Sequence, residues 1–339
     1  MLLNKLIQGG TLTTEEAAQL LHNITNGEMN EAQIVCAITC MMLRDISTEE
    51  LKGFRHSILE QAIIPELDAT NAIDVCGTGG DSKNTFNIST LSAIVIAAAG
   101  YKVIKHGNYG VSSFCGSSTI LEGLGYHFSN NSEALQTQLN QEGICFLHAP
   151  LFHPCLSRVG QIRKDLGVRT FFNFLGPLVN PAQPAYQLTG VYNLKIARMY
   201  RDILMKERKA FSIVHSVDGY DEVSLTAGFK LITKTNEELL YPDQIGQEYV
   251  AEEALHGGKD MDSAMALFID LLGGRGTEVQ ERVVLTNAAF GIQCFNSEKS
   301  FEACFEEASE ALRTGKALQK ITNLIELSNQ PLLVQKIQL

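Results

Sequence analysis

The sequence predicts an α/β protein: a small all-helical N-terminal domain, then a larger α/β domain with a mostly parallel central sheet and C-terminal helices. Three observations carry this expectation. Residues 1–67 hold helical signals only; from residue 72 short β-rich segments alternate with Gly-rich loops and helices; and the tail returns to helical periodicity. Strand–helix alternation is the pattern of a parallel sheet whose faces are covered by its crossovers. The expected division falls between a helical part, 1–67, and an α/β part, 68–339.

In the first part, Thr13 with Glu16 and Ser47 with Glu50 form capping-box pairs, in which side chain and backbone satisfy each other's free N–H groups. Each pair opens an apolar stripe at helical spacing, Ala17, Leu20, Leu21 and Ile24 in one and Leu51, Phe54, Ile58 and Leu59 in the other. Between them, 34–43 is apolar nearly all round. Such a helix is buried on more than one side, either within the helical domain or against a second subunit. In the second part, 72–76 reads as a strand, 77–84 as a loop and 89–99 as an Ala-rich helix. A strand at 101–105, a Gly/Ser loop and a helix at 120–124 follow. Residues 144–147, 188–191 and 211–214 are further strands, with a helix at 195–206. The tail is helical, with stretches at 261–272, 278–290 and 301–312.

Composition excludes some function classes. The 339 residues carry 27 Lys+Arg against 38 Asp+Glu, a net charge of -11. A sequence-independent nucleic-acid binder needs the opposite balance. No apolar run approaches the ~20 residues of a membrane span, and the first ten residues lack the apolar core of a secretory signal. A soluble cytoplasmic protein is expected, with no nucleic-acid or membrane partner. The eight cysteines are scattered without a Cys-x-x-Cys pair, so reduced thiols are favoured over disulfides or zinc.

Four constellations carry chemistry. Asp74-Val75-Cys76-Gly77-Thr78-Gly79-Gly80-Asp81 runs on to Thr85, Asn87, Ile88, Ser89 and Thr90. Glycines after a strand can aim backbone N–H groups at an anion, and the following helix mouth adds its dipole. A plain turn with Ser89 as N-cap is the bland alternative, and the spacing fits neither a Walker A loop nor a dinucleotide fingerprint. The second runs Lys105-His106-Gly107-Asn108-Tyr109-Gly110-Val111-Ser112-Ser113, then Gly116-Ser117-Ser118. It lies where a strand ends, the edge at which open α/β sheets bind ligands. Lys105 supplies a point charge and the serines neutral donors. Third, the adjacent carboxylates Asp221 and Glu222 suit a hard cation such as Mg²⁺, which takes one or two carboxylates plus phosphate and water. Taken alone they are better read as an acidic surface turn. Fourth, Arg163 can clamp a carboxylate through two parallel hydrogen bonds, although an isolated helical Arg is more often merely exposed. His148 and His153-Pro154-Cys155 lack zinc spacing.

Together these runs resemble the anthranilate phosphoribosyltransferase family over nearly the whole chain. The likeness is carried by Gly27-Glu28, Gln33-Ile34, residues 77–90 and 105–125, His153-Pro154, Arg163, the run from Asn173-Phe174-Leu175-Gly176-Pro177 to Pro181, and residues 218–222. The resemblance implies a nucleoside-phosphorylase/phosphoribosyltransferase-like fold whose helical domain gains a later segment around 153–180, and a homodimer joined through that domain. It implies transfer of phosphoribosyl from 5-phosphoribosyl 1-pyrophosphate (PRPP) to the amine of anthranilate, with Mg²⁺. By likeness, Gly77, Gly80, Asp81, Thr85, Asn87, Ile88, Ser89, Thr90, Lys105, His106, Gly107, Asn108, Ser112, Ser113 and Ser117 contact PRPP. Gly77, Asn108 and Arg163 hold anthranilate with His106 nearby, and Ser89, Asp221 and Glu222 carry the metal. Lys105, His106, Asn108 and Arg163 are the candidate catalytic set.

Three positions depart from the family pattern: Tyr109 for a common Arg, Ser216 for a frequent Gly, and Ser118-Thr119 for an Ala-Asp pair. They bear on binding strength rather than on the metal ligands or Arg163. A pyrimidine nucleoside phosphorylase is the nearest rival, but it has no use for Arg163 as a carboxylate clamp. A non-catalytic nucleic-acid-binding relative is opposed by the net charge and by Asp221-Glu222.

Overall fold

The computed structural model describes residues 2–110 and 115–337, with side chains as far as residue 330. Four helices open the chain: α1 (Leu2–Ile7), α2 (Thr14–Thr25), α3 (Glu31–Arg44) and α4 (Thr48–Glu60). Both expected capping boxes form, and Asn30 with Gln33 makes a third at the start of α3. The two stripes meet in one apolar cluster with Ile34, Ala37, Ile38 and Met41 of α3. The outer side of α3 stays open within the chain, with Leu43 84% and Met42 38% exposed. One face of this helix is therefore core and the other an uncovered apolar surface.

The sheet is assembled from β1 (Ala72–Gly77), α5 (Ile88–Ala98), β2 (Lys102–Gly107), α6 (Ser117–Gly123), α7 (Ser132–Glu142) and β3 (Ile144–His148). After the short α8 (Ala149–Phe152) and α9 (Ser157–Leu166), the chain returns through β4 (Tyr186–Gly190), α10 (Leu194–Glu207) and β5 (Ala210–Ser216). A hairpin, β6 (Phe229–Thr233) and β7 (Glu237–Leu240), precedes the helices α11 (Met261–Leu272), α12 (Glu278–Gln293), α13 (Phe301–Arg313) and α14 (Lys316–Ile337). Strand order is β3-β2-β1-β4-β5-β6-β7; the first five are parallel, and β6 and β7 are antiparallel. The sequence gives no expectation of this hairpin; its outer strand β7, with Glu237 and Glu238 exposed, has no buried face to impose alternation.

Two features position the site. The chain builds outward from β1 to β3 and then returns to the other side of β1, so the order reverses between β1 and β4. The carboxyl ends there open a crevice. Second, α5 is buried at ten of its eleven residues, wedged between the sheet and α12, where a Cβ on Gly291 would come 2.4 Å from Ile96. Its Ala-rich composition follows from that confinement. Its first turn faces the crevice. The segment around α9 packs instead on the helical part: Val159, Ile162, Phe171 and Phe172 share the cluster of α2–α4, and Phe171 stacks on Phe54 at 4.6 Å.

Candidate active site

The loop after β1 turns through Gly79 and Gly80 at φ +63° and +77°, the left-handed region that Cβ-bearing residues avoid. Its partner is Asp221, beyond β5, whose Oδ2 accepts the Gly79 N–H at 2.6 Å. The approach is close enough to demand glycine at two strand ends. A Cβ on Gly77 would sit 2.4 Å from Asp221 Oδ2, and one on Gly190 only 1.4 Å from the Asp221 backbone oxygen. Gly190→Ala is expected to destabilise the protein by about 3 kcal/mol or more, since backbone rather than a mobile side chain must yield. Thermal melting checks it, and an unchanged Tm would contradict the close approach.

Carboxylates gather beside this loop. Lys105 is buried; its Nζ donates to the Val75 carbonyl and lies 3.4 Å from Ser89 Oγ. Ser89 is not the N-cap: Asn87 holds that position, with its amide donating to Cys115 O at 2.9 Å, and the Ser89 hydroxyl is turned to Lys105 and Glu222. Burial, then Asp81, pushes the Asp221 carboxyl up to about 7, and burial with Asp221 beside it pushes Glu222 well up. Such a cluster of hard oxygens with one Lys to balance it fits a divalent cation. Among the described residues no three His, Cys, Asp or Glu side chains form a complete metal cage. Ser216 supports the group by donating to the Glu222 carbonyl at 2.7 Å.

β2 runs two residues further than expected, because its ladder with β3 continues to Gly107 opposite His148. Lys105 and His106 are therefore strand residues with fixed orientations. Beyond them Ser117 Oγ donates to Asn108 O at 3.2 Å, and a Cβ on Gly107 would meet that hydroxyl at 2.5 Å. Tyr109 is drawn aside: its O–H donates to Glu122 at 2.9 Å and its ring lies edge-on to His148, whose Nδ1 is 2.8 Å from Ser118 Oγ.

The cleft's other end is apolar. Phe172, Leu175, Pro177, Val179 and Leu156 line it, with Arg163 among them. The Arg163 guanidinium has a neutral partner, Asn173 Oδ1 at 3.3 Å, and lies 5.6 Å from the Phe172 ring centre. Burial alone lowers its pKa, with no carboxylate acting on it. His106 Nδ1 donates to Gly176 O at 3.2 Å, and His153 Nε2 to Val179 O at 2.9 Å, since a carbonyl can only accept. Each ring's other nitrogen is buried without a partner. Burial drives both imidazoles down, His106 to about 3 and His153 to about 4. They are neutral in the folded state but protonate near 6.5 when unfolded. Stability from these groups is complete above pH 6.5 and is lost as the pH falls towards 3–4. Tm is expected to decline between pH 7 and 5. His106→Asn, which keeps a donor for Gly176 but cannot titrate, should give a shallower decline, and a parallel one would contradict this.

Gly77, Gly80, Asp81, Thr85, Asn87, Ile88, Ser89, Thr90, Lys105, His106, Gly107, Asn108, Ser117, Arg163, Asp221 and Glu222 all border one cleft of about 290 Å³. Ile88 also belongs to the core. Ser112 and Ser113 lie outside the described residues.

Models of a glycosyl transferase family match the chain twice, its helical bundle domain over residues 1–62 and its α/β domain over 69–318. Anthranilate phosphoribosyltransferases of Flavobacterium psychrophilum and Flavobacterium johnsoniae are 47% and 48% identical to it over 327 residues, 96% of this chain and 99% of theirs. The chain belongs to the anthranilate phosphoribosyltransferase family. The crystal structure of the Thermus thermophilus anthranilate phosphoribosyltransferase superposes with a TM-score of 0.90 at 29% identity, covering 97% of this chain and 99% of that one. The Saccharomyces cerevisiae anthranilate phosphoribosyltransferase in complex with PRPP and Mg shares the fold, with a TM-score of 0.88 at 24% identity over 96% of each chain.

Within this family member, tertiary structure adds residues with no assigned role in the sequence reading. Asp74, wholly buried in β1, accepts from the His106 N–H at 3.2 Å and from Asn180 Nδ2 at 2.9 Å. Asn173 accepts from both Arg163 and the Thr170 N–H. Arg169 donates to Ser82 Oγ, tying the segment after α9 to the Gly-rich loop. The only advance signal for Asn173 and Asn180 was their place in the run 173–181.

Proposed function

We propose that the chain transfers the phosphoribosyl group of PRPP to the amine of anthranilate, giving N-(5-phosphoribosyl)anthranilate and pyrophosphate in tryptophan biosynthesis, with Mg²⁺ as cofactor. One observation carries this reading. A single cleft at the reversal of strand order has a phosphate-type end and an apolar end closed by a half-buried Arg without a carboxylate partner. That combination suits one substrate bearing a pyrophosphate and another that is a flat aromatic acid.

The amine of anthranilate is neutral near pH 7 and already nucleophilic, so a strong dedicated base is not required. Its nitrogen attacks C1 of the ribosyl group as the C1–O bond to pyrophosphate breaks, and the nitrogen then gives up a proton. Arg163 holds the carboxylate and Asn108 orients the amine, with Gly77 and His106 beside the ring; this is chiefly a gain in proximity. Lys105 and the N–H groups of residues 77–90 and 105–110 stabilise the departing charge, helped by Ser117. Ser89, Asp221 and Glu222 would hold Mg²⁺, which neutralises pyrophosphate oxygens when bound. Residues 1–67, with the later segment 153–180, act as the lobe supplying Arg163, and residues 68–339 as the phosphoribosyl-binding lobe. The open apolar face of α3, with Leu43 and Met42, supports a homodimer through the helical part. A cytoplasmic setting is supported by eight unpaired cysteines, and no described helix is long and apolar enough to cross a membrane.

The test is loss of anthranilate fluorescence by the purified protein. It should require both PRPP and Mg²⁺; no loss with folded protein would overturn the assignment.

A further inference from the structure

The wall of the apolar end is the turn Gly176–Leu178 with Val179 after it, and three of these residues, Gly176, Pro177 and Val179, border the cleft. Its four successive backbone carbonyls are each taken by a side chain from a different part of the fold. Gly176 O accepts from His106 Nδ1 of β2 at 3.2 Å, and Val179 O from His153 Nε2 after α8 at 2.9 Å. Pro177 O accepts from Gln187 Nε2 of β4 at 2.7 Å, and Leu178 O from Arg55 Nε of α4 at 2.9 Å.

The two histidines border the cleft, whereas Gln187 and Arg55 do not. Gln187 is fully buried in mid-strand, paired in register with Asp74, and its Oε1 accepts from Arg208 Nε at 3.1 Å. Its amide is thereby oriented: with the oxygen engaged by Arg208, the NH₂ can only point at the Pro177 carbonyl. Arg55 is held from the other side by an ion pair with Glu207 at 2.6 Å. A buried carbonyl that loses its donor is costly, so the turn cannot shift without breaking these contacts. The wall is thus preset before a ligand arrives, which spares binding the cost of ordering it.

We propose that Gln187 and Arg55 are positioning residues for the aromatic acceptor: each fixes one carbonyl of the turn that walls its pocket, one from within the sheet and one from the helical lobe. This rests on the phosphoribosyl-transfer reading. The role is confined to the acceptor, because the phosphate end is built from other loops.

Two variants separate positioning from mere stability. Gln187→Glu keeps an acceptor for Arg208 and, when ionised, cannot donate to Pro177 O. Arg55→Met removes the donor to Leu178 O, while its control, Glu207→Gln, breaks only the ion pair and leaves that bond. In steady-state assays of the full chain, both Gln187→Glu and Arg55→Met should raise the KM for anthranilate about tenfold, the loss of one hydrogen bond. kcat, the KM for PRPP and the Glu207→Gln control should stay within about twofold of wild type. Should Gln187→Glu fail to fold, Arg55→Met with its control decides alone. An unchanged anthranilate KM, an equal rise in both KM values, or a control that matches Arg55→Met would overturn the proposal. Wild-type protein inactive with both substrates would instead overturn the functional reading, and the positioning role with it.

Discussion

Arg163→Ala is expected to raise the KM for anthranilate about 100-fold, the equivalent of about 3 kcal/mol for a charge-assisted bidentate contact. The KM for PRPP should move less than about threefold. The argument is one of isolation. Arg163 sits at the apolar end of the cleft, its neighbours are aromatic and aliphatic, and its hydrogen-bond partner there is the neutral Asn173. A guanidinium in that setting has been desolvated without a carboxylate to compensate it. An incoming aromatic carboxylate would supply the missing charge. Arg163→Lys should recover only part of the loss, since an ammonium cannot make the two parallel bonds. Initial rates over a grid of both substrates decide this. An equal rise in the two KM values would remove Arg163 from the acceptor site.

Asp221→Asn should lower kcat/KM about 100-fold, in the range of losing one strong electrostatic contact to developing charge. It should also weaken the pH dependence of Mg²⁺ use, leaving the part that Glu222 carries. Burial and Asp81 raise the Asp221 carboxyl to about 7, so near neutrality a cation must displace a proton to bind. As pH rises through 7 that proton is already gone. The Mg²⁺ concentration giving half-maximal rate should therefore fall between pH 6 and 8 in the wild-type protein and fall less steeply in the variant. Asn retains an oxygen for the Gly79 N–H, so the loop that Asp221 supports keeps its acceptor. Mg²⁺ titrations at three pH values test this, and an unchanged response would exclude Asp221 from the metal site.

Much of this could be read from the residues because the signals are local. The capping boxes at Thr13 and Ser47, the glycines after β1 and the adjacent Asp221-Glu222 each act over a few residues, and the fold leaves them where the pattern puts them. The readings that shifted depend on distant neighbours. Ser89 could be an N-cap by sequence alone; only the approach of β2 and of the loop after β5 turns its hydroxyl to Lys105 and Glu222. Tyr109 in place of Arg removes a charge on paper. In the fold it gains Glu122 and His148, so the substitution also changes how this loop is anchored.

The sequence by itself determined the order of the five parallel strands, the caps of α2 and α4 and the residue types at the ends of those strands, because these follow from backbone propensity and burial period. Tertiary structure decided which ends meet. The return of the chain to β4 beside β1 brings Asp221 against Gly77 and Gly190, at distances that exclude a methyl group. Packing of α9 on the helical part carries Arg163 to the far end of the same cleft. A charge of -11 spread over the chain says nothing of that place, since Coulomb forces act across a few ångströms in a low-dielectric cleft and are screened beyond it.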